Sequence, residues 1–190
     1  MPKEHCRMRA RLSLARAAAG TALFLAALPA LAQQPGLQPA PGDNPQIDFP
    51  GYVEMAAQVQ TTRADRLVDH ATFEAMAARD DVLLLDARSA GAFALGHIDG
   101  AVNLPLPDFT AQSLAEVIGE DRDRAILIYC NNNFSNDVTP VVRKVITLAL
   151  NIQTMINLVG YGYPNVYELG EVVDFTEPRV RWVTSMAASD

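Results

Sequence analysis

A chain of 190 residues, 49% of them hydrophobic, is long enough to bury one substantial core and too short for two domains of ordinary size. Its formal net charge of −7 argues against nucleic acid or an anionic membrane surface as a partner and suits a solvated acidic exterior. Of the two cysteines and three histidines, His5 and Cys6 lie in an N-terminal stretch expected to be removed, and the one cysteine and two histidines left give no ligand set for zinc or haem; no Walker or dinucleotide glycine motif is present, so no metal and no cofactor are expected.

The N-terminus carries Lys3, Arg7, Arg9, Arg11 and Arg16, then an apolar run over 17–28, then Ala30-Leu31-Ala32. A basic region, an apolar stretch and an A-x-A site in that order predict a secretory signal peptide over residues 1–32, cleaved near Ala32, with export to the bacterial periplasm. An uncleaved membrane anchor is the rival, but it needs roughly 20 apolar residues, and this run stops sooner at Pro29. Cleavage would leave ten cationic and 21 acidic side chains, a balance of −11. It would also remove Cys6, so that Cys130 stands alone and no internal disulfide can form. Such a cysteine is either a buried, inert side chain or a reactive thiol.

Residues 33–51 hold Pro35, Pro39, Pro41, Pro45 and Pro50, with little apolar content beyond Ile47 and Phe49, and are expected to be an extended Pro/Gly/Gln-rich linker. The folded domain is expected over 52–178, followed by a tail at 179–190 that contains Trp182. Within the domain, 72–79 predicts a short helix capped by Asp69 or Thr72, and the apolar run 82–85 a buried strand ending at Asp86. Ser89 caps a brief helix that Gly96 stops. A short strand over 101–104 closes at Pro105, and 110–118 has helical spacing up to Gly119. The run AILIY (125–129) is a further buried strand that delivers Cys130 at its end, before a loop over 131–136. A helix is expected over 141–150 with Pro140 in its first turn, interrupted at Asn151 and resumed over 154–158; VYEL (166–169) is the last strand. Strands alternating with helices predict an α/β fold, a parallel sheet covered by helices on both faces, with ligands beyond the strand C-termini.

The segments LLLDAR (83–88), GHIDGAVNLP (96–105), ILIYC (126–130) and GYPNVYEL (162–169) occur in the order of the signatures of a rhodanese domain, and most of 83–169 resembles that family. The resemblance implies a rhodanese-like sheet and a sulfurtransferase. Its catalytic Cys130 would begin a loop of converging backbone N–H groups, with a following helix aimed at the same place. Such a cradle and a helix dipole are able to lower a thiol pKa by about two units and to stabilise an anionic persulfide. The expected substrate loop is Asn131, Asn132, Asn133, Phe134, Ser135 and Asn136, where active relatives commonly carry a Gly and a cation. Asn tolerates left-handed backbone angles, and its amide can donate to an anion; an ordinary polar turn is the plain alternative. A guanidinium at 4 Å contributes roughly 4 kcal/mol to an anion at an effective dielectric of about 20. Its absence from the loop predicts poor handling of doubly charged donors such as thiosulfate.

Asp86, Arg88 and His97 are possible supporting residues at the active-site mouth, or else a capping carboxylate, an ion pair and a turn-stabilising imidazole. Gly96 and Gly100 are expected to serve backbone geometry. The expected partners are a small sulfur donor and a thiol, cyanide or protein acceptor. Two further readings stand beside the transferase. One is a non-catalytic rhodanese-like module that binds through the same loop. The other is a cysteine phosphatase or arsenate reductase, which needs an Arg shortly after the cysteine; Arg143 lies far along the chain.

Overall fold

In the computed structural model, residues 44–185 are described; the signal peptide expected over 1–32 and most of the linker expected over 33–51 lie outside them. The first element, α1 (Phe49–Arg63), starts inside that linker. Asp48 caps it by accepting from the Gly51 N–H at 2.9 Å, and Pro50 occupies its first turn, where a missing N–H costs nothing. There follow β1 (Leu67–Val68), α2 (His70–Ala77) capped by Asp69, β2 (Val82–Asp86), α3 (Ala90–Leu95) capped by Ser89, β3 (His97–Ile98) and β4 (Val102–Asn103). The chain continues through α4 (Ala111–Ile118), β5 (Ala125–Tyr129), α5 (Leu150–Gly160), β6 (Val166–Leu169) and β7 (Trp182–Val183).

Five strands form one parallel sheet in the order β1-β6-β5-β2-β4, which places β5 at the centre, and β3 pairs with β7 in a separate antiparallel ribbon. The two-residue periodicity of a strand divides the apolar runs between two cores. Leu83, Leu85, Ile126 and Ile128 face α1, α4 and α5 through Val59, Leu114, Ile118 and Met155. Val82, Leu84, Leu127 and Tyr129 face the opposite side, where Phe73, Phe134, Val173 and Val180 pack. Strands buried on both faces read as continuous apolar runs, as VLLLD and AILIY do.

Two expectations need correction. Residues 141–149 are not helical: they form an irregular stretch with one 3-10 turn (Ile146–Leu148), and α5 begins only at Leu150. Four of those residues are β-branched Val or Ile, weak helix formers. Their backbone groups bond elsewhere, the Val142 carbonyl to the Asn131 amide and both Lys144 backbone groups to the Asn132 amide. Pro140 accordingly sits in a loop, after a cis peptide bond, and Asn151 belongs to the first turn of α5 instead of interrupting a helix.

The stretch from 179 is also not a detached tail as far as Ser185. Val180 is fully buried, and the Trp182 ring lies 5.0 Å from that of Phe134 and 5.1 Å from that of Phe175. Gly96 makes this possible, because a Cβ there would collide with the indole; its carbonyl accepts from Arg88 at 2.8 Å. Gly100 has φ of 84°, a left-handed angle suited to glycine. Gly96→Ala is therefore expected to displace Trp182 and destabilise the fold by about 1–3 kcal/mol, as overpacking does. Trp182 is the only tryptophan in the sequence, so denaturation followed by its fluorescence reads both effects. An unshifted emission and midpoint would refute the contact.

Candidate active site at the end of the central strand

Cys130 follows β5 directly, and the strand's parallel neighbours β2 and β6 carry the chain past it on either side. Its side chain is 1% exposed, but it lines a cavity of about 630 Å³. The Cys130 N–H donates to the Asn133 Oδ1 at 2.9 Å, which ties the strand end to the 3-10 turn Asn131–Asn133. The backbone N–H groups of Asn151, Asn132 and Leu150 favour the ionised form of the sulfur, and two of the three belong to the first turn of α5, where amides have no partner within the helix.

These donors do not decide the thiol's acidity. Burial pushes the Cys130 thiol above its ordinary range, and the N–H groups of Asn151, Asn132 and Leu150 offset that only in part, while the Glu168 carboxylate adds to the rise. The lowering of about two units expected from the cradle is corrected accordingly: removing a thiolate from water outweighs three amides.

Glu168 was not foreseen as part of the site, although its signal is in the sequence, a lone carboxylate in a buried apolar strand. It is 6% exposed and accepts two hydrogen bonds from Arg63, each 2.8 Å, and one from the Asn151 amide at 3.2 Å. The same Asn151 amide donates to the Asn133 Oδ1 at 2.9 Å, whereas the Asn151 Oδ1 is buried without a partner among the described residues. A network thus runs from α1 through β6 and α5 to the turn that holds Cys130.

The asparagine run is a clasp. Asn131 and Asn132 hold the 141–149 stretch, and the Asn133 amide donates to the carbonyls of Leu169 and Glu171 at 2.7 and 3.1 Å. Their amides are thereby engaged with carbonyls, and none of them takes a positive φ; the left-handed residue of the segment is Asp137, at 48°. Asn132, Asn133, Phe134 and Ser135 line the cavity with Cys130. Asn131 instead lines a separate cavity of about 500 Å³ with Arg88, and Asn136 bonds to Asp174 and to the Phe175 N–H.

The supporting residues form a structural centre on the other side of β5. Asp86, 0% exposed, accepts from the Arg88 guanidinium and backbone and from the Tyr129 hydroxyl at 2.6 Å. His97 stacks on Phe93 and bonds through Nδ1 to the Phe93 carbonyl at 2.8 Å. Neither Asp86 nor His97 lines the cavity of Cys130.

Two cations line that cavity where the loop itself offers none. Arg63 arrives from α1 and Arg143 from the irregular stretch; the first is paired with Glu168 and the second with Asp137 at 3.1 Å. Among the described residues no group of His, Cys, Asp and Glu is placed to hold a metal ion, and no helix is long and apolar enough to cross a membrane.

The family described as Rhodanese-like domain matches residues 69–171, more than half of the chain. Solved structures are similar as well, three of them as follows. The Alr3790 protein of Anabaena sp. is 19% identical with a TM-score of 0.40, over 54% of this chain and 68% of that one. The polysulfide-sulfur transferase homodimer of Wolinella succinogenes is 17% identical with a TM-score of 0.35, over 62% and 77%. A full-length protein from Lactobacillus plantarum is 22% identical with a TM-score of 0.35, over 63% and 88%. No curated protein matches the chain.

Proposed function

This chain belongs to the rhodanese-like domain family, and from that premise we propose that it is a sulfurtransferase that carries sulfane sulfur as a persulfide on Cys130. The observation that carries the reading is a buried thiol at the end of the central strand. It lines a cavity of about 630 Å³, and the backbone N–H groups of Asn151, Asn132 and Leu150 favour its ionised form.

The Cys130 thiolate attacks the transferable sulfur of a donor. A new S–S bond forms at Sγ, and the donor's S–S or C–S bond breaks with its electron pair leaving on the departing group: sulfite in the case of thiosulfate, and in the case of 3-mercaptopyruvate the enolate of pyruvate, which takes a proton from water. The N–H groups of Asn132, Leu150 and Asn151 then stabilise the negative charge of the persulfide. An acceptor nucleophile next takes the outer sulfur, and Cys130 leaves as a thiolate. Both steps balance without an external oxidant or reductant.

The loop is atypical for a sulfurtransferase, with asparagines where a glycine and a cation are common. Arg63 and Arg143 in the cavity wall are already neutralised by acids, so a doubly charged donor gains little there, and singly charged donors such as 3-mercaptopyruvate suit the site better than thiosulfate. We place the protein in the bacterial periplasm after cleavage near Ala32, on the signal-peptide pattern of its first 32 residues; the intact mass of the exported protein tests this.

A second reading, a non-catalytic binding module, draws on the upward push that burial gives the thiol. Mass spectrometry after exposure to 3-mercaptopyruvate or thiosulfate separates the two. Transfer requires one added sulfur on the wild type that cyanide removes, and none on Cys130→Ser. If no donor adds sulfur to Cys130, while partner affinity survives Cys130→Ser, the binding module is the correct reading.

A further inference from the structure

The segment between Cys130 and α5 exposes an unusual amount of apolar surface. Val138, Val142, Val145, Ile146 and Leu148 are 51%, 51%, 67%, 77% and 60% exposed. Ile146 also lines the cavity of Cys130, together with the exposed Leu67 and Val172, so the apolar surface is continuous with the mouth of the site. The segment is held in place although it is irregular: Asn131, Asn132 and Asp137 fix the backbones of Val142, Lys144 and Arg143. An exposed apolar patch of this kind, beside a reactive centre, marks a surface for another macromolecule.

Charge narrows the class of partner. The chain as a whole is acidic, at −7, whereas this segment carries Lys144 beside Arg143, which is paired with Asp137. Lys144 forms no ion pair among the described residues, its backbone groups alone being engaged with Asn132. A second copy of this apolar surface would bring another Lys144 with it, cation against cation. An acidic and apolar segment complements it in both respects.

We propose that residues 138–148 dock a partner protein that presents a cysteine within an acidic, apolar segment, and that this cysteine is the acceptor of the sulfur on Cys130. The proposal rests on the transferase reading and names its acceptor. The partner's thiolate enters the cavity and attacks the outer sulfur. A bond forms between the two, the Cys130 Sγ–S bond breaks, and the partner leaves as the persulfide. A cavity of about 630 Å³ has room for such a side chain and its neighbours, and the flanking residues lie on Val145 and Leu148.

The test uses persulfide-loaded protein and two short cysteine peptides, one flanked by Asp, Glu, Leu and Val, the other with Lys in place of the acids. The acidic peptide is expected to discharge the persulfide at least tenfold faster than the Lys peptide or free cysteine. Val145→Ser/Leu148→Ser and Lys144→Ala, all exposed and outside the cavity wall, should each remove most of that advantage and leave discharge by cyanide unchanged. Equal rates for the two peptides, or an advantage that survives both variants, overturns the proposal. So does a dimer that Val145→Ser/Leu148→Ser converts to monomer in sedimentation, which would assign the surface to a second copy. If Cys130 takes up no sulfur from any donor, the transferase reading has failed. The docking surface is then judged by the binding of a fluorescent Ser-for-Cys version of the acidic peptide, with preference over its Lys counterpart expected and no preference overturning it.

Discussion

Replacing Arg88 by Ala is expected to lower the unfolding free energy by about 3–5 kcal/mol, because it leaves a buried carboxylate without its cation. Asp86 is 0% exposed, and Arg88 supplies three side-chain hydrogen bonds to it between 2.5 and 3.0 Å. After the substitution Asp86 keeps only the Arg88 backbone N–H and the Tyr129 hydroxyl. The guanidinium also lies 5.5 Å from the ring centres of both Tyr129 and Trp182, so its loss opens the aromatic cluster that closes the C-terminal strap. In a domain of this size the expected fall in thermal midpoint is on the order of 10 °C. Arg79→Ala breaks an exposed ion pair with Asp81 and should leave the midpoint where it is. Calorimetry of the two variants decides the matter: a loss at Arg88 no greater than at Arg79 would show that the buried pair is dispensable. Asp86→Asn combined with Arg88→Met should recover part of the loss, since no charge is then stranded.

Sulfur uptake by Cys130 is expected to rise about tenfold for each pH unit from neutral pH upward, with its break above the ordinary thiol value of about 8.5. Only the thiolate attacks, and burial holds the thiol protonated more strongly than the N–H groups of Asn151, Asn132 and Leu150 favour its ionisation. The sign follows directly: a raised pKa means less thiolate at neutral pH and a rate still climbing in the alkaline range. Loading from 3-mercaptopyruvate, followed across pH by intact mass, measures it. Glu168→Gln removes a carboxylate that pushes the thiol upward, and should move the break to lower pH. A break well below the ordinary thiol value in the wild type would mean that the first turn of α5 outweighs burial.

The sheet was legible because its strands are short apolar runs with clear endings. VLLLD and AILIY are buried on both faces whatever packs on them, and the caps Asp69 and Ser89 mark helix starts through local hydrogen bonds. The helix expected over 141–150 was misread for the complementary reason. Apolar content there suggested a buried face, yet Val142 through Leu148 are exposed, and their backbone groups bond to asparagine side chains that are adjacent to Cys130 in sequence. Nothing in the periodicity of a segment reveals that another segment has taken its hydrogen bonds.

The position of Cys130 at the C-terminal end of a buried strand follows from sequence alone, since an apolar run of strand length is a property of the local pattern; that the strand is central does not. The surroundings that set its chemistry do not. Arg63 lies outside the matched family segment, Glu168 is on the neighbouring strand, and Asn151 opens a helix that starts well after the cysteine. They meet because β6 pairs with β5 and α5 packs across that pair, and strand order is a long-range choice. Burial decided the rest: the same thiol, with the same neighbours in sequence, has its acidity set by how much water the folded chain removes.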